Sequence, residues 1–286
     1  MAKNTALSLR VQWLGERLRK ARIQAGCTLE DSGEYLQVRH TTLSRIENGI
    51  YRARPSYVRD LIDFYGISDE RERAVLLQLN EDAWRKDWWI KDSSGLDAEF
   101  IDYTWLEARA ARICVFEPML IHGLLQTADY AKALTIAGMP EDTTPETIDR
   151  MVELRLHRQR ILTGTNATKL SIVFEEAPLY RNIGGKTTHV AQLHHLLGQS
   201  GHENIDIRIL PRTSGWHHGL DGPFTVINMP DPYPDVAYIE NLAGRSFLED
   251  DAKVDRFRQA YDGLYKSALS PAQSHEFISN LLKGLE

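Results

Sequence analysis

The chain has 286 residues, 42% of them hydrophobic and 26% charged, with a formal net charge of −6 and two cysteines. Such a composition is that of a globular protein with room for roughly two domains of about 100–200 residues. No apolar run approaches the roughly 18 residues of a membrane span, and the first residues lack the apolar core and cleavage site of a secretory leader. Cys27 and Cys114 offer neither a disulfide framework nor a zinc knuckle. A cytoplasmic protein is therefore expected, with no membrane association. The charge is unevenly placed. Residues 1–66 hold 11 Lys and Arg against 7 Asp and Glu, whereas the remainder holds 23 against 33. A basic head on an acidic body locates any nucleic-acid contact at the N-terminus.

In chain order, residues 1–10 read as a short polar arm carrying Lys3 and Arg10. From Val11 the spacing of Val11, Leu14, Leu18 and Ala21 predicts a helix with one apolar face, stopped by Gly26. Thr28 is a good N-cap for a second helix, with Asp31 at its third position, running to about Leu36. Gly33 falls where the two helices of a helix-turn-helix come close and a small residue is required. A third helix is expected over residues 39–48. Leu43 and Ile46 face inward, and His40, Thr41, Ser44 and Arg45 lie on the opposite face. A basic loop with Arg52 and Arg54 leads to a fourth helix opened by Pro55 and lined by Val58, Leu61, Ile62 and Tyr65. Residues 69–84 read as a fifth helix.

The run WRKDWWIKDSSGL changes the composition. Its Ser/Gly part reads as a linker, and Trp84, Trp88 and Trp89 as a packing seam between domains or chains. Beyond it, helices alternate with about five short strands: ICVFEP, KLSIVFEE, IDIRILP, FTVINM and VAYIEN. Two helices, near 250–268 and 271–283, close the chain. The fold class expected is mixed α+β. An all-α head spans residues 10–80, a linker 81–96, and an α/β body 97–286.

A helix-turn-helix lays its second helix in the major groove, where each base pair presents a distinct donor and acceptor pattern. Residues 39–48 meet that requirement, with His40, Thr41 and Arg45 set to reach base edges and Arg39 and Ser44 on the same face. Arg45 suits the bidentate contact to guanine, worth about 1–3 kcal/mol of discrimination. Asn48, Arg52 and Arg54, with the helix start at Thr28, are spaced to meet phosphates, which position without reading sequence.

The stretch LGERLRKARIQAGCTLEDSGEYLQVRHTTLSRIENGIYRARP resembles the Xre/Cro-type DNA-binding domains of bacterial and phage repressors. By that resemblance His40, Thr41 and Arg45 match base-reading positions, Asn48 a phosphate contact, and Glu47 the family's structural acid at the helix end. Two positions depart from the pattern. Leu29 stands where the family usually has Gln, and Gln37 where the turn usually has Gly, so a left-handed backbone there carries a cost. The body is also familiar. FEPMLIHGLLQTADYA (116–131), RxxRQxxL (155–162), EEAxLYRxIGG (175–185), QLxxL (192–196), YIE (238–240) and ALSPxxS (268–274) resemble the large actinobacterial class of Xre-type regulators. Their C-terminal domain is described as antitoxin-like, often encoded beside a small partner protein.

Other constellations are weaker. The histidines at 189, 194, 195, 202, 217 and 218 invite a metal. Adjacent helical histidines, however, point about 100° apart, and no HExxH or Cys/His spacing supports zinc. The loop with Trp216, His217 and His218 reads as a rim over a ligand pocket or partner surface, together with Glu175. Glu175 and Glu176 are expected to bond to nearby backbone or to Arg181. Arg155, Arg158 and Arg160 are expected to form a solvated face paired with Glu146, Asp149 and Glu153. No nucleophile elbow or phosphate loop is present, so neither catalysis nor a cofactor is expected. The reading is a DNA-binding regulator acting as a homodimer on double-stranded operator DNA, its body sensing a small molecule or binding a small partner protein. An antitoxin-like partner-binding protein with autoregulatory DNA binding, or an enzyme with a DNA-binding head, stays open.

Overall fold

In a computed structural model, residues 8–85 and 98–285 are described. They divide into two compact units, Met1–Tyr103 and Thr104–Glu286. Among the described residues no helix is long and apolar enough to cross a membrane.

The first unit holds five helices: α1 (Leu9–Gln24), α2 (Leu29–Tyr35), α3 (His40–Glu47), α4 (Pro55–Phe64) and α5 (Glu70–Trp84). The apolar spacing of α1 does what it predicts, since Val11, Leu14, Leu18 and Ala21 are all buried, as are Leu43 and Ile46 of α3 and Val58, Leu61 and Ile62 of α4. Arg10 is not part of a mobile arm. It lies inside α1 at 2% exposure and donates to the carbonyl oxygen of Asp82 at 3.0 Å. Residues 1–7, with Lys3, lie outside the described residues. α5 continues through Glu81–Trp84, the start of the expected linker; the rest of that stretch, with Trp88 and Trp89, lies outside the described residues.

α6 (Ala98–Glu107) carries the boundary between the units. The second unit is built on a six-stranded sheet, one strand more than expected. The strands are β1 (Arg112–Glu117), β2 (Lys169–Glu175), β3 (Ile205–Leu210), β4 (Phe224–Asn228), β5 (Val236–Asn241) and β6 (Gly244–Leu248), in the order β3-β2-β1-β4-β5-β6. β1, β2 and β3 run parallel, with Val115 opposite Ile172 and Ile172 opposite Ile207. β4, β5 and β6 are antiparallel, with Val115 also opposite Thr225. β1 and β2 are buried along nearly their whole length, as strands covered on both faces must be.

The helices of this unit are α7 (Ala128–Gly138), α8 (Pro145–Arg158), the single-turn α9 (Ala177–Tyr180), α10 (Lys186–Gln199), α11 (Asp251–Ser267) and α12 (Pro271–Leu285). α11 packs on the sheet through Val254, Tyr261 and Leu264, against Cys114, Phe116, Val173, Phe224 and Val226. α12 is tied to β3 by backbone and side chain: Leu269 N–H donates to Ile209 O at 2.8 Å, and Ile209 N–H to Ser274 Oγ at 3.0 Å. That pairing gives the ALSPxxS run a structural reason.

Candidate nucleic-acid interface

α3 is held from behind. Leu43 at 0% and Ile46 at 3% exposure seat α3 on the core of the first unit. Glu47 closes the helix from inside. Arg22 of α1 donates from Nε to Glu47 Oε1 at 2.7 Å and from Nη2 to Oε2 at 2.9 Å, a bidentate pair with little exposure on either side chain. The bond to Glu47 raises the Arg22 pKa above its ordinary value. A third device is Gly15 of α1. A Cβ there would stand 2.4 Å from the Ile46 carbonyl oxygen, so only glycine lets α1 approach the end of α3 this closely.

The turn between α2 and α3 follows the expected chemistry. A Cβ at Gly33 would meet Val38 O at 3.0 Å, and Gln37 alone among the described non-glycine residues has positive φ, 56°. Gln37 therefore takes the left-handed conformation that glycine adopts at less cost. Arg39 is the N-cap residue of α3, in extended backbone. His40, Thr41 and Arg45 are exposed on one face, with Ser44 half-buried beside them.

The arginines of this surface are not loose. Arg45 Nη1 donates to Tyr51 Oη at 2.5 Å, and its guanidinium lies 5.1 Å from the Tyr51 ring centroid. Arg52 sits 5.7 Å over the Trp84 ring and Arg54 5.5 Å over Tyr57. The basic loop is anchored between them by Ala53, whose carbonyl accepts from Asn80 Nδ2 at 2.9 Å and from Trp84 Nε1 at 2.7 Å. Trp84, expected in an interdomain seam, is thus a support for the basic loop. Asn48 folds back on α3, its Nδ2 donating to Ser44 O at 2.7 Å. Thr28 caps α2: Oγ1 accepts from Asp31 N–H, and Thr28 N–H donates to Asp31 Oδ2 at 2.8 Å. The Thr28 backbone N–H first, and then the Thr28 side chain, hold the Asp31 carboxyl below its ordinary range. Spacing within helices misses Tyr51 and Gly15, because each acts on a residue of another segment.

In the second unit the weaker candidates separate into two places. His217 Nε2 lies 3.4 Å from Glu175 Oε1, beneath the Phe116 ring edge, while Glu176 accepts from Arg212 N–H at 3.1 Å. Glu176 thus bonds to backbone, one of the two partners expected, while Glu175 meets His217 in place of the backbone or Arg181. His218 lines a cavity of about 450 Å³ between α11 and the edge of the sheet, and Trp216 meets the His218 ring at 4.8 Å with 75% exposure. The arginines of α8 also differ from expectation. Arg158 is buried and forms a bidentate pair with Glu107 of α6, at 2.7 and 2.8 Å. Arg155 donates to Gln126 Oε1 at 2.9 Å, and Arg160 contacts His157. Asp149 pairs with Lys132 instead. The intra-helix pairs expected for this face lose to tertiary partners, because a buried guanidinium needs a fixed acceptor.

Several motif residues converge here. Gln159 Nε2 donates to Gly123 O and Gln126 O, Gln126 Nε2 to Ile121 O, and Gln192 Nε2 to Leu125 O. Together they fix the HGLLQT loop, which would otherwise bury unpaired carbonyls. Buried in that loop, the His122 imidazole is pushed down to about 4 by loss of solvent.

A family model described as a domain of unknown function (DUF5753) matches residues 100–280, and one described as a helix-turn-helix domain matches residues 13–76. No curated protein and no solved structure gives a match.

Proposed function

The chain belongs to the DUF5753 family, and from that premise we propose that it is a sequence-specific transcriptional regulator whose α3 reads DNA and whose body answers to an effector. The helix-turn-helix domain makes it a DNA-binding protein in general. The finer reading rests on one observation. The face of α3 with His40, Thr41 and Arg45 is exposed, while the opposite face and the helix end are locked by Leu43, Ile46 and the Arg22–Glu47 pair. A rigid helix with its polar face outward is what a major-groove reader requires. Arg39 and Ser44 flank the reading set; Arg52 and Arg54 are placed for phosphate, and Arg45 for guanine.

One such helix gives modest affinity. Two heads on a two-fold operator, about 34–36 Å apart, raise it by linkage, and a homodimer is the form proposed. The cavity beside α11 favours a small-molecule effector over a partner protein as the signal for the body.

Genome-wide binding-site mapping tests the reading and delivers the operator. A set of sites with a shared two-fold sequence is expected; binding without a shared sequence would exclude specific reading. On that operator Arg52→Ala should weaken every sequence alike and flatten the salt dependence by about one charge. A change confined to the operator would reassign Arg52 to base reading.

A further inference from the structure

The core of the second unit is incompletely covered at one place. Ile239, Leu248, Phe257 and Ala260 pack against its buried cluster yet remain only partly buried themselves. These same four side chains line the cavity of about 450 Å³, with Phe224 at its floor. The volume falls within the range of small-ligand sites, which are largely apolar with a few polar groups that orient the ligand. The Phe224 and Phe257 rings lie 5.2 Å apart at 58°, giving a tilted aromatic wall. The apolar surface here is therefore a recess open to solvent, not a filled core.

The polar side of this recess has a definite sign. Lys253, Arg256, Phe257 and Ala260 recur at i, i+3, i+4 and i+7 along α11, so two cations border the apolar half of one helix face. Among the described residues, no hydrogen bond or ion pair engages the side chain of either Lys253 or Arg256. Their neighbour on the same helix, Arg258, is by contrast held by both Asp235 and Asp255. Two uncommitted cations are notable in a region where acids outnumber bases, 33 against 23 from residue 67 onward. Asp221 on the opposite rim supplies one negative charge, which leaves the recess one positive charge in excess. His218, held edge-on by Trp216, completes that rim.

We propose that this recess binds a small amphipathic monoanion, a carboxylate on an aromatic or branched apolar body. The body fills the space between Phe224, Phe257, Ile239 and Leu248. The carboxylate meets the guanidinium of Arg256 and the ammonium of Lys253. A cationic ligand is disfavoured by the same two groups, and a neutral one leaves them unanswered. This assignment deepens the effector reading and rests on it for its regulatory meaning, though not for the binding itself.

The test uses the full chain and three matched probes: 2-naphthoate, 2-naphthylmethanol and 2-naphthylmethylamine. Titration calorimetry should give saturable binding of the carboxylate, about tenfold or more tighter than the alcohol, and no binding of the amine. The double substitution Lys253→Gln with Arg256→Gln changes only exposed side chains and should abolish the preference for the carboxylate. Ala260→Phe, which fills the recess, should abolish binding of both carboxylate and alcohol, with the melting transition confirming that each variant folds. Equal binding of all three probes, no saturable binding of the carboxylate, or an unchanged preference in the double variant would overturn the proposal. Operator affinity measured with and without 2-naphthoate separates the two readings. Binding that leaves operator affinity unchanged upholds the site and removes the effector role; a shift in operator affinity that the double variant loses upholds both.

Discussion

The two units of this chain use arginine in opposite ways. In the head, Arg45, Arg52 and Arg54 are exposed and lean on the rings of Tyr51, Trp84 and Tyr57. In the body, Arg158 is drawn inside and locked on Glu107, and Arg155 on Gln126. A guanidinium resting on an exposed ring is ordered at small cost, about 0.5–1 kcal/mol of attraction, and is released as easily to a phosphate or a base. A buried pair is committed, since neither charge can find another partner without unfolding. The head therefore keeps these three cations available, whereas the body commits Arg155 and Arg158. The buried pair of the head, Arg22–Glu47, lies behind α3, away from its exposed face.

The largest effect should come from breaking the body's committed pair. Glu107→Ala deprives the buried Arg158 of its carboxylate partner, and chemical denaturation should register a loss of about 3–5 kcal/mol. A loss below about 1 kcal/mol would place Arg158 with the exposed arginines and dissolve the contrast. The next effect depends on pH. Burial, and then the charge of Glu240, push the Glu117 carboxyl up to about 8. The fold thus holds a proton that the unfolded chain has released above the ordinary carboxylate range. Its contribution is complete below that range and is lost as pH rises toward and through 8. Glu117→Gln should flatten the fall in stability between about pH 5 and pH 8, measured by denaturation at both; an unchanged slope would mean that Glu117 is solvated. The smallest effect lies in the head. Gln37→Gly relieves the left-handed backbone at φ 56° and should stabilise the head by about 0.5–1 kcal/mol. Destabilisation would show that the Gln37 side chain makes a compensating contact.

The same contrast explains what was legible beforehand. Periodicity reports which face of an element is buried, so the cores of α1, α3 and α4 and the outward set His40, Thr41 and Arg45 could be read directly. The requirement for a small residue at Gly33 followed from the close approach of two helices, and the left-handed turn at Gln37 from the resemblance to the Xre/Cro-type pattern. Partners chosen by tertiary packing were not legible. Arg158 finds Glu107 across 51 positions, where spacing along α8 suggested Glu153 and its neighbours. Arg10 looked like an arm residue because nothing nearby in sequence announces the Asp82 carbonyl that receives it. β6 escaped because GRSFL is short and half-exposed at the sheet edge, where strands carry little apolar signal. The cavity depends on four segments meeting at α11, and spacing along the chain announces no such meeting.

The central claim is that the exposed face of α3 reads sequence and that Arg45 is its main discriminating contact. The direct measurement is the ratio of affinities for the mapped operator and for a scrambled duplex of the same length, at one salt concentration, in the wild type and in Arg45→Ala. The ratio should fall by about 1–3 kcal/mol, roughly five- to 150-fold, with the fold intact by circular dichroism. An Arg45→Ala protein that kept the wild-type ratio would contradict it and move the reading surface elsewhere in the head.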